Sequence, residues 1–260
     1  MMRQAVKRTL ARLSPPDESG WRVLLYHAIG EPAAEDRLGL RISPADFREQ
    51  MRWLTVEGFR VVPLASLIAG VPAERALAIT FDDGYASQLE AAAILGEFGY
   101  PATFFVVPAF LNGEARGEAY WERWGYFGWT ELAALAARGF EIGAHSATHV
   151  RLTRWSRHAS VLEAEILGTK GVLEEKLGSR ITSFSYPHGA FNEAVMAAVR
   201  QAGYQCACTS LYGANSTPLQ PFALRRIEIT AQDHLTDFAW KLRGRYDWFA
   251  GWQRLRMRHA

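Results

Sequence analysis

Cysteine is nearly missing from this chain. Cys206 and Cys208 are the only two in 260 residues, too few for a disulfide framework. Two residues apart on a strand, they would point the same way as reduced thiols near the core. No apolar run is long enough to cross a bilayer. The N-terminal stretch MMRQAVKRTLARLSPP lacks the uninterrupted apolar core that a secretion signal carries. A one-sided charge is lacking too: 29 basic against 27 acidic residues leave a formal charge of +2, which offers no overall field for gripping nucleic acid. The sequence holds no internal repeat and no low-complexity tract. These absences argue against a disulfide-stapled scaffold, a membrane-spanning bundle, a solenoid and a nucleic-acid binder driven by bulk charge. The expected location is the cytoplasm or the inner face of the membrane.

What is present suits one large α/β domain: 49% hydrophobic and 22% charged residues in a chain long enough to bury its own core. Ser14-Pro15-Pro16 breaks the chain early. Residues 1–20 therefore read as a basic segment, with Arg3, Lys7, Arg8 and Arg12, no acid before the break, and Val6, Leu10 and Leu13 at helical spacing. Residues 21–242 read as the domain, and 243–260 as a basic tail with Trp248, Phe249 and Trp252. Such terminal segments either pack on their own domain or make a peripheral contact with an anionic membrane.

Between the termini, strand-like and helix-like stretches alternate. WRVLLYH, LAITF, ATFFVV, FEIG, ITSFS and LRRIEI read as strands, separated by helices near 44–57, 87–98, 130–138, 161–177 and 192–202. Ser43-Pro44 has the form of a helix start, a serine cap followed by proline. Repeated βα units predict a parallel sheet with helices outside, closed or nearly closed into a barrel.

In such a barrel, functional groups gather at the C-terminal ends of the strands, and that is where the unusual polar residues fall. LLYH ends in His27, and ITF runs into Asp82-Asp83-Gly84. FEIGAHSATH delivers His145 and His149, FSYPHG delivers His188, and LRRIEI carries Arg225 and Arg226. Asp-Gly alone would be read as a turn, but adjacent carboxylates at a strand mouth repel each other unless a cation or proton lies between them. The two histidines of HSATH, four apart on a helical turn, would face one side and share a metal; alone, they read equally well as surface or cap residues. Two imidazoles and one carboxylate leave coordination positions open for water and substrate. His158 and His234 read as surface or loop residues.

TFDDG, HSATH and FSYPHG, in that order, resemble the polysaccharide deacetylases, the NodB-like domain of the family 4 carbohydrate esterases. The resemblance spans roughly Trp21 to Leu242. YHAIG near the start and RRIEI near the end resemble its circularly permuted branch, which acts on poly-N-acetylglucosamine and related exopolysaccharides. The resemblance implies a distorted (β/α)7-type barrel in a single domain, and hydrolytic removal of N-acetyl groups from an amino-sugar polymer or oligosaccharide. It implies Asp82 as general base, His27 as general acid, and Asp83, His145 and His149 as ligands of a divalent metal. Zinc suits that set best, with cobalt, nickel, manganese or iron also tolerated. It further implies that the loop Pro187-His188-Gly189, with Tyr186 just before it, lines the acetyl pocket and that the His188 backbone N–H holds the oxyanion.

The sequence departs from the family pattern twice. Ser185 stands where many members carry an arginine, with Arg226 a candidate to reach the same place and orient Asp82. No acidic motif precedes the general-acid histidine. Trp121 and Trp124, in an aromatic, glycine-containing stretch, are candidates for stacking on sugar rings, whereas Trp129 reads as core. The competing readings are an amidohydrolase acting on a small acylated or cyclic amide, and a non-catalytic carbohydrate-binding protein. The filled ligand set counts against the second. A two-carboxylate glycosidase would not need the histidine pair.

Overall fold

The computed structural model describes residues 4–31, 33–70, 75–114 and 124–257. Its strands are β1 (Arg22–Tyr26), β2 (Ala28–Ile29), β3 (Arg41–Ile42), β4 (Arg60–Val61), β5 (Ala76–Phe81), β6 (Thr103–Val106), β7 (Glu141–Ala144), β8 (Ser183–Ser185), β9 (Cys206–Cys208) and β10 (Ile227–Glu228). Its helices are α1 (Gln4–Leu13), α2 (Pro44–Val56), α3 (Leu64–Ile68), α4 (Gln88–Phe98), α5 (Pro108–Leu111), α6 (Trp129–Ala137), α7 (Ala159–Glu163), α8 (Thr169–Leu177), α9 (Glu193–Gln201), α10 (Leu235–Leu242) and α11 (Trp248–Met257).

A single parallel sheet curls through the order β10-β1-β5-β6-β7-β8-β9. Its two ends meet at a seam. Cys208 bridges Leu224 in parallel, the Leu224 N–H donates to the Ala207 carbonyl at 3.0 Å, and the Thr209 N–H donates to the Leu224 carbonyl at 2.8 Å. The result is the distorted seven-stranded α/β barrel expected from the resemblance. β4 pairs with the first residues of β5, while β6 pairs with the last ones on the same side. A small parallel pair, β2 with β3, stands apart from the barrel and was not visible as strands in the sequence.

β5 is buried at every position, which is why a parallel strand covered on both faces reads as an unbroken apolar run. Its residues still alternate. Thr80 turns inward to Arg226, while Phe81 turns outward and stacks between Tyr26 and Phe104 at 5.4 and 4.9 Å, with Phe47 of α2 edge-on at 5.9 Å. The start of α2 follows the expected cap: Ser43 Oγ accepts the Asp46 N–H at 3.0 Å, and Pro44 holds the first helical position. α4 and α8 end on left-handed glycines, Gly99 and Gly178.

The barrel interior is itself packed, by Val23, Ala78, Phe105, Cys206, Cys208 and Leu224. Gly143 of β7 is there because a Cβ would lie 2.4 Å from the Phe105 ring. The cysteines are buried, unpaired and on one strand, as expected. Burial pushes the Cys208 thiol up to about 12, so it stays protonated. Among the described residues, no helix is long and apolar enough to cross a membrane.

Phe47→Ala removes the aromatic plug between α2 and β5. It should lower stability by about 3–5 kcal/mol, read as a shift in the urea unfolding midpoint with an unchanged slope.

Candidate active site

Two adjacent carboxylates are buried at the end of β5: Asp82 is 4% and Asp83 is 7% exposed. Burial alone would raise the pKa of each, and each would repel the other's charge. The fold resolves this by giving them different partners.

Asp82 continues the inward alternation of Thr80. Its two oxygens accept from Nη1 and Nη2 of Arg226, both at 2.7 Å, in a bidentate pair. Ser185 Oγ donates to Asp82 Oδ2 at 3.1 Å and accepts from Arg226 Nη2 at 2.9 Å. Burial lifts the Asp82 carboxyl, but the Arg226 charge and then that of His145 outweigh it, so the group is held below the usual carboxylate range. Arg226 is itself fully buried and locked, with Nε donating to the Thr209 carbonyl at 2.8 Å.

Asp83 leaves the strand in the left-handed region (φ 77) and turns toward the histidines. Its Oδ1 lies 3.4 Å from Nε2 of His145 and 3.3 Å from Nε2 of His149. The three donor atoms lie within 4.8 Å of one another. Burial again pulls upward, but at the acid pH where a carboxyl takes up its proton both imidazoles are protonated, and the hydrogen bond from His145 and the charge of His149 hold Asp83 well below a normal carboxyl.

His145 is held in one orientation by the backbone of β8. Its Nδ1 is 2.7 Å from the Ser185 carbonyl, and a carbonyl only accepts. Nδ1 therefore carries the proton, which in the neutral ring leaves the Nε2 lone pair facing Asp83. Burial holds His149 down to about 4 and keeps it neutral at ordinary pH. One ionised carboxylate and two imidazole nitrogens on a common point fit a divalent metal that keeps open positions.

The HSATH segment is not the helical turn expected from its spacing. It is a loop, with Ser146 (φ 61) and His149 (φ 62) both left-handed. Ser146 Oγ accepts the His149 N–H at 3.0 Å, and the two imidazole centroids come within 4.9 Å.

Sequence reasoning missed the residue that anchors this loop. Glu165 is 8% exposed. Its carboxylate accepts the Thr148 N–H at 3.0 Å and the Thr148 hydroxyl at 2.6 Å, and its carbonyl accepts the Ala147 N–H at 3.1 Å. Glu165 sits in a π-helical turn, Ala164–Gly168, inserted between α7 and α8. A wider turn of this kind re-aims side chains, and no residue pattern announces it. Gln88 was also missed. Its Nε2 donates to the His27 and Asp82 carbonyls at 2.8 and 2.7 Å, tying the ends of β1 and β5 together. Tyr85 hydrogen-bonds Asp83.

His27 stands at the end of β1, close enough for its charge to act on both Asp82 and Asp83. Its Nδ1 is buried with no hydrogen-bond partner, in keeping with the missing acidic motif. His188 is exposed and left-handed (φ 59), with its ring 4.6 Å from that of His149. Pro187 is buried beside it.

Tyr186 corrects the expectation that it lines a pocket. It is fully buried, its hydroxyl donates to the Phe222 carbonyl at 3.0 Å, and its ring packs on Phe184 and Phe191. An alternating strand turns it to the helix side, opposite to Ser185. Trp124 stands edge-on to Tyr85 at 5.3 Å, under the Arg41 guanidinium at 5.6 Å. Trp121 lies outside the described residues. Trp129 packs on the core, and its Nε1 donates to Asn112 at 2.9 Å.

Two tests follow from this geometry. Arg226→Met should cost about 3–5 kcal/mol in urea unfolding, because Asp82 is left as a buried unpaired charge. Adding Asp82→Asn should recover part of that loss, since the uncompensated charge is gone. Glu165→Ala should weaken divalent-metal affinity by about 10- to 100-fold, the usual effect of removing a support behind a ligand, as read by titration against a competing chelator. Glu165→Gln, which can still accept from Thr148, should retain most of the affinity.

Residues 69–207 match the family described as polysaccharide deacetylase. The Bacillus subtilis (strain 168) protein YxkH, assigned by name to polysaccharide deacetylation, is 27% identical over 214 residues, covering 80% of this chain and 71% of its own. The poly-beta-1,6-N-acetyl-D-glucosamine N-deacetylase of Escherichia coli O157:H7 is 22% identical over 271 residues. That match covers 90% of this chain and 40% of the relative, so this chain spans under half of that protein's length. The Streptococcus pyogenes deacetylase PplD, solved in complex with acetate, superposes with a TM-score of 0.75 at 20% identity, over 87% of this chain and 99% of its own. At that identity the likeness speaks for the fold.

Proposed function

Because this chain belongs to the polysaccharide deacetylase family, we propose that it hydrolyses N-acetyl groups from an amino-sugar polymer or oligosaccharide and releases acetate. The observation that carries this reading is the division of labour between neighbouring carboxylates. Asp83 faces two imidazoles at 3.4 and 3.3 Å, while Asp82 is turned away to Arg226 and Ser185. One carboxylate is thus a ligand and the other is an ionised base beside it. A glycosidase pair would need neither histidine.

A divalent cation held by Asp83, His145 and His149 would polarise the acetamide carbonyl and bring the acidity of a water close to neutral pH. Zinc is the ion favoured by these donor types, and cobalt, nickel, manganese and iron suit the same set. Asp82 takes the proton of the attacking water. It is ionised at neutral pH, and Arg226 and Ser185 fix its orientation, so it needs no rearrangement to act. The C–N bond breaks readily only if nitrogen departs as an amine, so a proton must reach it. His27, on the neighbouring strand β1, is the group assigned to give that proton. The His188 backbone N–H is assigned to the developing oxyanion.

The name of the E. coli relative supports a poly-N-acetylglucosamine-type chain as substrate. Trp124 supports sugar binding, since it rests on Tyr85, which bonds Asp83, and so presents an aromatic wall beside the site.

Asp82→Asn should keep its metal but lose about 10²- to 10⁴-fold in turnover, the range for removing a general base. Asp83→Ala should lose the metal as well. Acetate release from N-acetylglucosamine oligomers, with metal content by elemental analysis, reads both. Full activity in Asp82→Asn would overturn the assigned base. No acetate from any N-acetylated oligosaccharide, with turnover of a small cyclic amide, would move the chain to the amidohydrolase reading.

A further inference from the structure

α1 docks on the barrel the opposite way round from an ordinary surface helix, which buries its apolar stripe. Its polar side faces inward. Arg8 Nε donates to both oxygens of Asp237 at 3.0 and 2.9 Å, and Arg8 Nη2 donates to the Gln232 carbonyl at 2.9 Å. Ala11 is fully buried, and Gln4 and Lys7 line a cavity of about 250 Å³ shared with Ser210 and Arg226. Asp237 is fixed in turn by the Tyr246 hydroxyl at 2.8 Å, and Arg245 Nη1 donates to the Ser14 carbonyl at 2.7 Å just past the helix end. The stripe formed by Val6, Leu10 and Leu13 consequently faces solvent, with exposures of 47%, 38% and 77%. Rotating the helix to bury that stripe would break the Arg8–Asp237 pair, so the outward face is built in.

The two terminal segments are themselves basic. Residues 1–16 contain Arg3, Lys7, Arg8 and Arg12 and no acid, and residues 248–260 contain Arg254, Arg256 and Arg258 and no acid. The two segments are neighbours, because Lys7 Nζ lies 4.9 Å from the ring centroid of Phe249 in α11. An exposed apolar stripe on a helix whose own charges are all basic is complementary to a surface that offers hydrocarbon beneath negative charge. Anionic lipid headgroups offer both at once. A second copy of this chain would bring the same bases against each other.

We propose that α1 docks the protein on an anionic membrane surface. Because Gln4 and Lys7 share their cavity with Arg226, the partner of Asp82, the docked helix reaches the end of the barrel that carries the active site. The proposal needs neither metal nor turnover, so it stands or falls separately from the assigned reaction.

The test is flotation of the full chain with phosphatidylcholine vesicles, with and without phosphatidylglycerol. Binding should require phosphatidylglycerol and fade with added salt. The triple substitution Val6→Ser, Leu10→Ser, Leu13→Ser should weaken binding by at least about tenfold, given three aliphatic side chains removed from the contact. Arg12→Glu should weaken it less. Unchanged acetate release from a soluble oligomer, together with an unchanged unfolding midpoint, shows that the variants remain folded. Wild-type protein that stays with neither vesicle, or a triple variant that floats like wild type, overturns the proposal. A dimer in sedimentation that the triple variant converts to monomer overturns it in favour of a second copy.

Discussion

Two ionised carboxylates side by side in a buried strand end cannot be held without compensating charge, and the rest of the site follows from how that charge is delivered. Consecutive strand residues point to opposite faces, but Asp83 breaks the strand with its left-handed turn and so escapes the outer apolar layer where Phe81 lies. Asp82 keeps the inward position and meets Arg226, which comes from 144 residues further along the chain. The guanidinium can sit there only if β10 runs beside β1 and Leu224 stitches the seam to β9. Barrel closure and the orientation of Asp82 are therefore one event: a chain that failed to close would leave Asp82 as a buried, unpaired charge.

The strain in the backbone is concentrated at the same place. Among the described non-glycine residues in the left-handed region, Asp83, Ser146, His149 and His188 all stand at the site, and only Arg75 lies elsewhere. Such conformations cost on the order of 1–3 kcal/mol each, so each needs an anchor. Tyr85 bonds Asp83, Ser146 Oγ holds the His149 N–H, and Glu165 grips Thr148 by backbone and side chain together. These anchors fix both imidazoles before a ligand arrives, which reduces the ordering needed on binding.

Parts of this were legible in the sequence for a definite reason. Parallel strands covered on both faces appear as apolar runs, and the first polar residue after each run marks a strand mouth. His27, Asp82, Asp83 and His145 stand at such mouths. The loop geometry was not legible. A spacing of four suits a helical turn as well as a loop whose two left-handed residues bring the rings together, and only the second occurs. The π-helical turn that aims Glu165 leaves no compositional trace, because the apolar pattern of α7 and α8 continues through it with Leu162, Ile166 and Leu173 buried. Tyr186 was misplaced for the opposite reason: next to a functional loop in sequence, it obeys strand alternation and turns into the core.

Ser185 and Arg226 show what kind of requirement a sequence motif encodes. Where the resemblance calls for an arginine on β8, this chain has a serine, which read by position alone looks like a loss. The electrostatic need is only that a guanidinium reach Asp82 inside the barrel. A cation arriving from Arg226, just before β10 and on the far side of the seam, satisfies it. The smaller residue on β8 then has a function of its own: Ser185 Oγ bonds both members of the pair, and its carbonyl fixes the His145 tautomer. The same short strand therefore orients Asp82 through a hydroxyl and the His145 imidazole through its backbone. With Arg226 already bonding both oxygens of Asp82, an arginine at the fully buried Ser185 position would bring a second guanidinium to a carboxylate whose charge is already met. The charge at Asp82 is the constraint, and the strand that supplies its partner can differ.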